Sequence, residues 1–319
     1  MIHSAPQTTL VILNPHAAGG RAGQVWQQIE PLLWERLGEL VVAVTQRPED
    51  VAAHLDDAHR VGIRRVIAIG GDGTNHTLVN ALARANEQHS ADPMIYGNLP
   101  IGTGRDWARG VGMPFRDVRA AADWIARATP TPTDLGMITR SDAEPSADGG
   151  RDYFLNIASA GLGGDVVRRV NAAKYRTAWT FLGATIGAIL NGHPSVMRIR
   201  LDGRDWYEGR AYAVAVANGT TFGHGMRIAP HARTDDGLFE IVLVEAVSRA
   251  RILSALSRVY DGSHLKHPAV RSGRAARVEL DSPDGQIEIE ADGEYAAARA
   301  FTIQMRPALI QMLLQPTPS

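Results

Sequence analysis

Cysteine is absent from the chain. That excludes disulfides, thiol nucleophiles and zinc–thiolate sites, and it suits a reducing compartment. A surplus of one charge is also missing: 33 Lys and Arg stand against 34 Asp and Glu, for a formal net charge of −1. No nucleic-acid partner is expected for the surface as a whole, and any contact with an anionic membrane has to be a local patch. Long apolar runs are lacking too. The longest mostly apolar stretch, Ala178 to Leu190, is too short to span a bilayer and carries two glycines and two threonines. Met1 to Thr9 has no basic start followed by an apolar run, so no signal peptide is expected. At 319 residues and 45% hydrophobic content, the chain can build one large domain or two modest ones.

Against these absences, one motif stands out. Gly70-Gly71-Asp72-Gly73-Thr74 directly follows the apolar run Val66 to Ile69. Glycines at the end of a strand let the backbone turn tightly and approach a ligand closely. The segment after Thr74, beginning Asn75-His76, reads as a helix whose N-terminus presents N–H groups to an anion. A carboxylate inside such a turn, Asp72, makes sense beside phosphates when a divalent cation lies between them. The motif therefore points to a nucleotide-phosphate site.

The first part of the chain alternates short apolar runs with helical periodicity. Strands are expected at 10–13, 40–44, 66–69 and 94–99. Helices are expected at 24–37 (with Pro31 a candidate kink), 48–60 and 75–88. This rhythm implies a parallel sheet covered on both faces, with ligands bound beyond the carboxyl ends of the strands. Asn14, the turn 70–74 and the turn 102–106 all fall at such ends. After about Asp134 the pattern changes. Ser141 to Asp152 reads as an exposed hairpin tip. Strand-like runs follow at 153–158, 196–201, 211–217, 239–244, 277–280, 287–290 and 300–305, many alternating apolar and polar residues as in an antiparallel sheet. Helical stretches at 165–173, 178–190 and 248–260 interrupt them.

Each candidate site has a plainer alternative. Asn14 to Gly23 offers close backbone approach and Arg21 for a phosphate, or it is an ordinary loop. In Gly102-Thr103-Gly104-Arg105-Asp106, the acid either serves the site or only caps a helix. The acids Glu288 and Glu290 read as solvated, and Asp292-Gly293-Glu294 is weak as a lone triplet. Thr234-Asp235-Asp236-Gly237-Leu238 is either a β-turn or a hard-cation site. His224 and His231 lack a third ligand at metal-site spacing. Arg249, Arg251, Arg258, Lys266, Arg271, Arg274 and Arg277 make the later part locally positive, as a solvated face or one turned to anionic headgroups.

Asn14-Pro15…Gly19, Gly70 to Thr74 and Gly102-Thr103-Gly104-x-Asp106-x-Ala108-Arg109 together resemble the diacylglycerol-kinase catalytic-domain family, particularly the soluble YegS-like bacterial lipid kinases. The similarity continues through Asp134-Leu135-Gly136, Phe154-Leu155-Asn156…Gly161…Asp165, Asp236-Gly237-Leu238 and Asp292-Gly293-Glu294, covering nearly the whole chain. The resemblance implies an α/β nucleotide-binding domain with a parallel sheet over 8–135, to which 302–319 returns. It implies a mainly antiparallel, β-sandwich-like lipid-acceptor domain over 136–301.

It further implies transfer of the ATP γ-phosphoryl to a lipid hydroxyl, diacylglycerol first. A sphingoid base, ceramide or phosphatidylglycerol are alternatives within the class. Gly70, Gly71, Gly73, Thr74, Asn75, Asn14, Thr45 and Thr103 would line the nucleotide site. Asp72, Asp106 and Asp134 would organise Mg²⁺ through water, and Glu294 would act as general base. Arg233, Asp236 and Leu238 would match a second, structural metal site, the arginine and leucine through their carbonyls. The implied partners are ATP and a lipid at a membrane surface, with a homodimer as one option for assembly. The implied location is cytoplasmic and peripheral to the membrane. Two readings stand beside this one: an NAD kinase-type enzyme, which shares the Gly-Gly-Asp-Gly-Thr turn, and an inactive lipid-binding module of the same fold. One departure is visible, because Arg105 stands where the family usually has Asn.

Overall fold

Thr9 to Leu13 alternates nothing: five consecutive apolar or β-branched residues form a strand, β1, buried on both faces as in a covered parallel sheet. The computed structural model describes residues 8–102, 104–142, 150–161, 166 and 178–315. Thr103, Asp165 and the helix expected at 165–173 lie outside them, apart from residue 166. The chain divides into two compact units: residues 1–133 with 308–319, and residues 134–307.

In the first unit, β1 pairs in parallel with β2 (Leu40–Val44) on one side and with β3 (Arg65–Gly70) on the other. β4 (Ile95–Pro100) continues from β3, and the end of the last strand, β15 (Ala300–Leu314), pairs in parallel with β4 through Gln311 and Met312. The order β2-β1-β3-β4-β15 reverses direction at β1, which puts a crevice between the loops that follow β1 and β3. Edge strand β2 leaves Val41, Val42 and Val44 exposed.

The helices cover this sheet by their apolar spacing. α1 (Arg21–Leu37) buries Ala22, Ile29 and Leu33 and remains one helix through Pro31, whose ring is exposed. α2 (Asp50–Arg60) buries Val51, Leu55 and Ala58. α3 (Asp72–Gln88) starts three residues earlier than the apolar pattern suggested, because Gly71 is its cap and Asp72 its first residue. α3 also buries Asn75 and Asn86. Asn86 accepts Met94 N–H at 3.1 Å and donates to Leu309 O at 3.1 Å, tying the returning strand to the sheet. Two further helices, α4 (Asp106–Gly110) and α5 (Val118–Arg127), follow β4.

The second unit is antiparallel. β5 (Thr129–Arg140) enters it and pairs with β6 (Arg151–Phe154). β14 (Glu294–Ala298), β13 (Ile287–Ala291), β7 (Ile157–Gly161), β9 (Arg204–Ala217), β8 (Ser195–Leu201), β12 (Arg277–Asp281) and β15 then follow in that order. β10 (Phe239–Glu245) lies between β9 and β11 (Val270–Ala275). Its core gathers Phe154, Val214, Phe239, Ile241, Leu280 and Ile303. The helices here are α6 (Ala178–Asn191) and α7 (Arg249–Ala255). The expected helix 248–260 is thus α-helical only to Ala255, with a 3-10 turn over Leu256–Val259. The expected strand 153–158 is two strands, β6 and β7, broken at Leu155 and Asn156 for a reason given below.

Gly136 sits opposite Phe154 in the β5–β6 ladder, and a Cβ there would lie 2.1 Å from that fully buried ring. Gly136→Ala is expected to destabilise the second unit by about 1–3 kcal/mol through overpacking. Urea unfolding followed by tryptophan fluorescence checks this, and an unchanged midpoint would mean that the ring has room to move.

Candidate active site

The three glycine-bearing turns meet at the carboxyl edge of the parallel sheet. Asn14 ends β1. Its Nδ2 donates to Thr74 Oγ1 at 3.1 Å and its Oδ1 accepts His16 N–H at 3.1 Å. Ile101 N–H donates to Gly70 O at 2.6 Å, fastening the third turn to the second. Gly70 has to be glycine, because a Cβ would stand 2.5 Å from Thr74 Oγ1. Thr45, at the end of β2, is buried and turns its hydroxyl to Leu13 O at 3.4 Å. Asn75 is also buried, and its side-chain oxygen accepts Tyr96 OH.

Asp72 occupies the first turn of α3, where the helix dipole favours a negative charge. Its Oδ1 accepts Arg105 N–H at 3.2 Å, and a Cβ on Gly104 would lie 2.4 Å from its Oδ2. Gly102 and Gly104 therefore form a cradle around this carboxylate. Arg105 reaches the position with φ 56°, in the left-handed region. There a side chain costs about 1–2 kcal/mol, and Asn or Gly is the cheaper residue. Its guanidinium stays with the turn: Nε donates to Gly102 O at 2.6 Å and a terminal nitrogen to Phe115 O at 3.2 Å, with the group over the Phe115 ring. Arg109 lies over the same ring, donates to Gly104 O, and pairs with Asp106 at 3.3 Å. Asp106 is the first residue of α4 and Arg105 its cap, so this acid does not cap the helix. Burial, and then Arg21, Arg109 and Arg116, hold the Arg105 guanidinium below the ordinary arginine range, while Asp72 acts in the opposite sense. Arg105 is thus a cation within reach of other cations on the turn that braces Asp72, a local charge suited to a polyanion.

Among the described residues, no group of three or more His, Cys, Asp or Glu side chains could hold a metal alone. A single cradled carboxylate at a helix N-terminus fits an ion held mainly by water and phosphate oxygens, as Mg²⁺ commonly is. Asp72 meets that description. The turn at 233–238 does not fit a cation as it stands. Asp236 Oδ1 accepts Leu238 N–H at 3.1 Å and Oδ2 receives Arg274, while the Arg233 guanidinium pairs with Asp235 at 3.1 Å.

The second unit anchors its candidate residues through carboxylates. Asp134, buried, accepts Gly237 N–H at 2.8 Å. Its own N–H donates to Thr234 O at 2.7 Å, which joins it to the 234–238 turn. Asn218 donates to Asp134 O at 2.8 Å and Leu155 O at 2.7 Å. Asp292 and Gly293, with φ 49° and 93°, form the two-residue turn between β13 and β14. This is the positive-φ Asp-Gly hairpin loop that matches strand twist. The Asp292 carboxylate accepts Leu155 N–H at 2.7 Å and both Asn156 and Ile157 N–H at 3.1 Å. That clamp breaks the expected strand 153–158. Glu290 is not solvated, as the sequence suggested, but fully buried. It accepts Ser159 OH at 2.8 Å and Gly293 N–H at 3.1 Å. Glu294 follows at the start of β14, exposed, on the hairpin that these two acids anchor. The sequence marked the triplet but not Asp292 as its anchor; the Asp-Gly pair was the available signal.

The class defined so far is a parallel α/β unit with a glycine-lined anion cradle, followed by a β-sandwich-like antiparallel unit. Residues 8–138 match the diacylglycerol kinase catalytic domain, and residues 156–314 match the YegS C-terminal NAD kinase beta sandwich-like domain. The chain belongs to the diacylglycerol-kinase catalytic-domain family, in its YegS-like form. A diacylglycerol kinase of Mycobacterium tuberculosis (strain ATCC 25618 / H37Rv) is 26% identical, over 95% of this chain and 93% of that protein. A YegS-like lipid kinase of Stenotrophomonas maltophilia (strain K279a) is 28% identical, over 88% and 89%. In fold, a diacylglycerol kinase of Bacillus anthracis str. Sterne superposes with a TM-score of 0.71 at 19% identity, over 97% of each chain. Yeast NADH kinase complexed with NADH superposes at 0.53 and 11% identity, over 98% and 85%.

Gly104→Ala tests the cradle. The added methyl has to displace the Asp72 carboxylate, so affinity for ATP is expected to fall about tenfold, about 1.4 kcal/mol by calorimetry. The urea midpoint should stay near that of the wild type. Unchanged affinity would place the phosphates elsewhere.

Proposed function

We propose that this protein is an ATP-dependent lipid kinase that transfers the γ-phosphoryl of Mg-ATP to a lipid hydroxyl, with diacylglycerol as the first acceptor to test. The observation that carries this reading is Asp72 in its glycine cradle at the start of α3, with Arg105 and Arg109 bonded to the same turn. Phosphoryl transfer asks a protein mainly for positioning and charge neutralisation, and this turn supplies both.

In this reading the N–H groups of the turn at Gly70, Gly71, Gly73 and Thr74 and of the α3 terminus hold the phosphates. Asn14, Thr45, Asn75 and Thr103 border the nucleotide. Asp72, with Asp106 and Asp134, would hold Mg²⁺ through water, and the ion would neutralise charge on the transferring group. Glu294 takes the proton of the acceptor hydroxyl. The acceptor oxygen then bonds to the γ-phosphorus as the bond to the β–γ bridging oxygen breaks, and ADP leaves. The reading assigns Asp292 and Glu290 to positioning, since they fix the hairpin that carries Glu294. A second cation at the carbonyls of Arg233 and Leu238 with Asp236 requires Arg274 to leave that carboxylate, and no step depends on it.

The test is transfer from γ-labelled ATP to diacylglycerol, sphingosine, ceramide, phosphatidylglycerol and NAD, with wild type beside Asp72→Asn and Glu294→Gln. Label is expected in one lipid, falling about a hundredfold or more in both variants, the scale on which a positioned base contributes. Added EDTA is expected to abolish it. Label in NAD would assign the chain the chemistry of the other branch of the fold. Bound ATP without transfer would leave a binding module.

A further inference from the structure

We propose that the outward stripe of α7 and the 3-10 turn after it, together with Leu190 and Tyr260, is the surface by which this protein rests on an anionic bilayer. The proposal rests on the lipid-acceptor reading only for its purpose; the surface stands on its own charges. Between residues 246 and 260 the chain has three arginines and no acid, against a net charge of −1 overall. Ala250, Arg251, Ser254, Ser257 and Arg258 recur three or four apart and are all exposed, as is Arg249 at the start of α7. The stripe is therefore cationic and otherwise built of small residues.

The contrast with neighbouring cations is what singles it out. Arg271 pairs with Glu245, Arg274 with Asp236 and Glu240, and Arg277 with Glu279. Those three are paired with acids and form no part of a free positive face. Among the described residues, Arg249, Arg251, Arg258 and Lys266 enter no ion pair with an acid. Arg249 instead donates to Gly192 O at 3.3 Å, which ties α7 to the end of α6. There Leu190 is 48% exposed, and beyond the 3-10 turn Tyr260 is 45% exposed. α7 contains no buried residue, so this element is not consumed in the core. Val259, on the opposite side from the stripe, packs toward Val166, Ala188 and Met226.

Unpaired cations beside exposed leucine and tyrosine match a leaflet whose headgroups are negative and whose interface accepts apolar and aromatic side chains. Each cation near such a surface is worth about fivefold in partitioning, so three contribute roughly a hundredfold. The attraction should weaken with salt, because exposed charges are screened.

Vesicle flotation tests this with the full chain. The vesicles are phosphatidylcholine alone and phosphatidylcholine with phosphatidylserine. The proteins are wild type, R249Q/R251Q/R258Q, and a charge-matched control, R198Q/R200Q/R204Q, on the β8–β9 hairpin. Wild type and control are expected to float with the anionic vesicles and not with the neutral ones, and to be released by salt. The patch variant should bind roughly a hundredfold more weakly. Unchanged circular dichroism and urea midpoint establish that it is folded. Equal binding by the patch variant, equal loss in the control, or equal flotation with neutral vesicles would overturn the proposal. So would patch-dependent retention on RNA without flotation. The readout needs no turnover. Transfer to diacylglycerol in neutral detergent micelles is measured separately, so a protein inactive there that still floats through this patch supports the surface while counting against the kinase.

Discussion

Carboxylates that accept backbone N–H groups brace three of the segments on which the site depends. Asp72 takes Arg105 N–H, Asp134 takes Gly237 N–H, and Asp292 takes three consecutive amides at Leu155, Asn156 and Ile157. Hydrogen bonds to a charged group are worth about 1.5–3 kcal/mol each, more than neutral ones. They also fix geometry, because a short Asp side chain leaves little slack. Both units use the same device, and in each it joins segments distant in sequence.

In the first unit this explains why small residues cluster around one acid. Gly70 and Gly104 leave no room for a side chain, since Thr74 and Asp72 already occupy it. Arg105 is the exception within the cradle. It accepts the cost of a left-handed backbone, and its side chain offsets part of that cost by bonding Gly102 O and Phe115 O and lying on an aromatic ring. Here this chain replaces the easy backbone fit that Asn or Gly would give with side-chain bonds that brace the same turn. The extra cation adds to the positive charge of Arg21, Arg109 and Arg116, which act on its guanidinium.

The parallel unit was largely legible in the sequence, because short apolar runs between helices have few other solutions. The three turns at one sheet edge followed from that order. The misses have physical causes. β5 begins Thr-Pro-Thr-Pro-Thr and β14 runs through three alanines, so neither shows an apolar alternation. α3 starts at Asp72 because the acid favours the helix start even though glycine flanks it on both sides. Glu290 alternates with Glu288 as surface acids do, yet only the structure reveals Ser159 and the Gly293 N–H waiting for it. The split at Leu155 depends on an acid 137 residues away, which local pattern cannot report.

The fifth strand of the parallel sheet is the last stretch of β15, held by Asn86 through Leu309. Its partner strand β4 lies more than two hundred residues earlier, with residues 134–307 between. During synthesis the antiparallel unit is therefore fully translated while the α/β unit still lacks an edge. Its four-stranded precursor has to wait with β4 uncovered, a stage at which an unpaired strand invites association with other chains. Truncations near residue 308 remove this edge from the first unit and leave residues 134–307 whole.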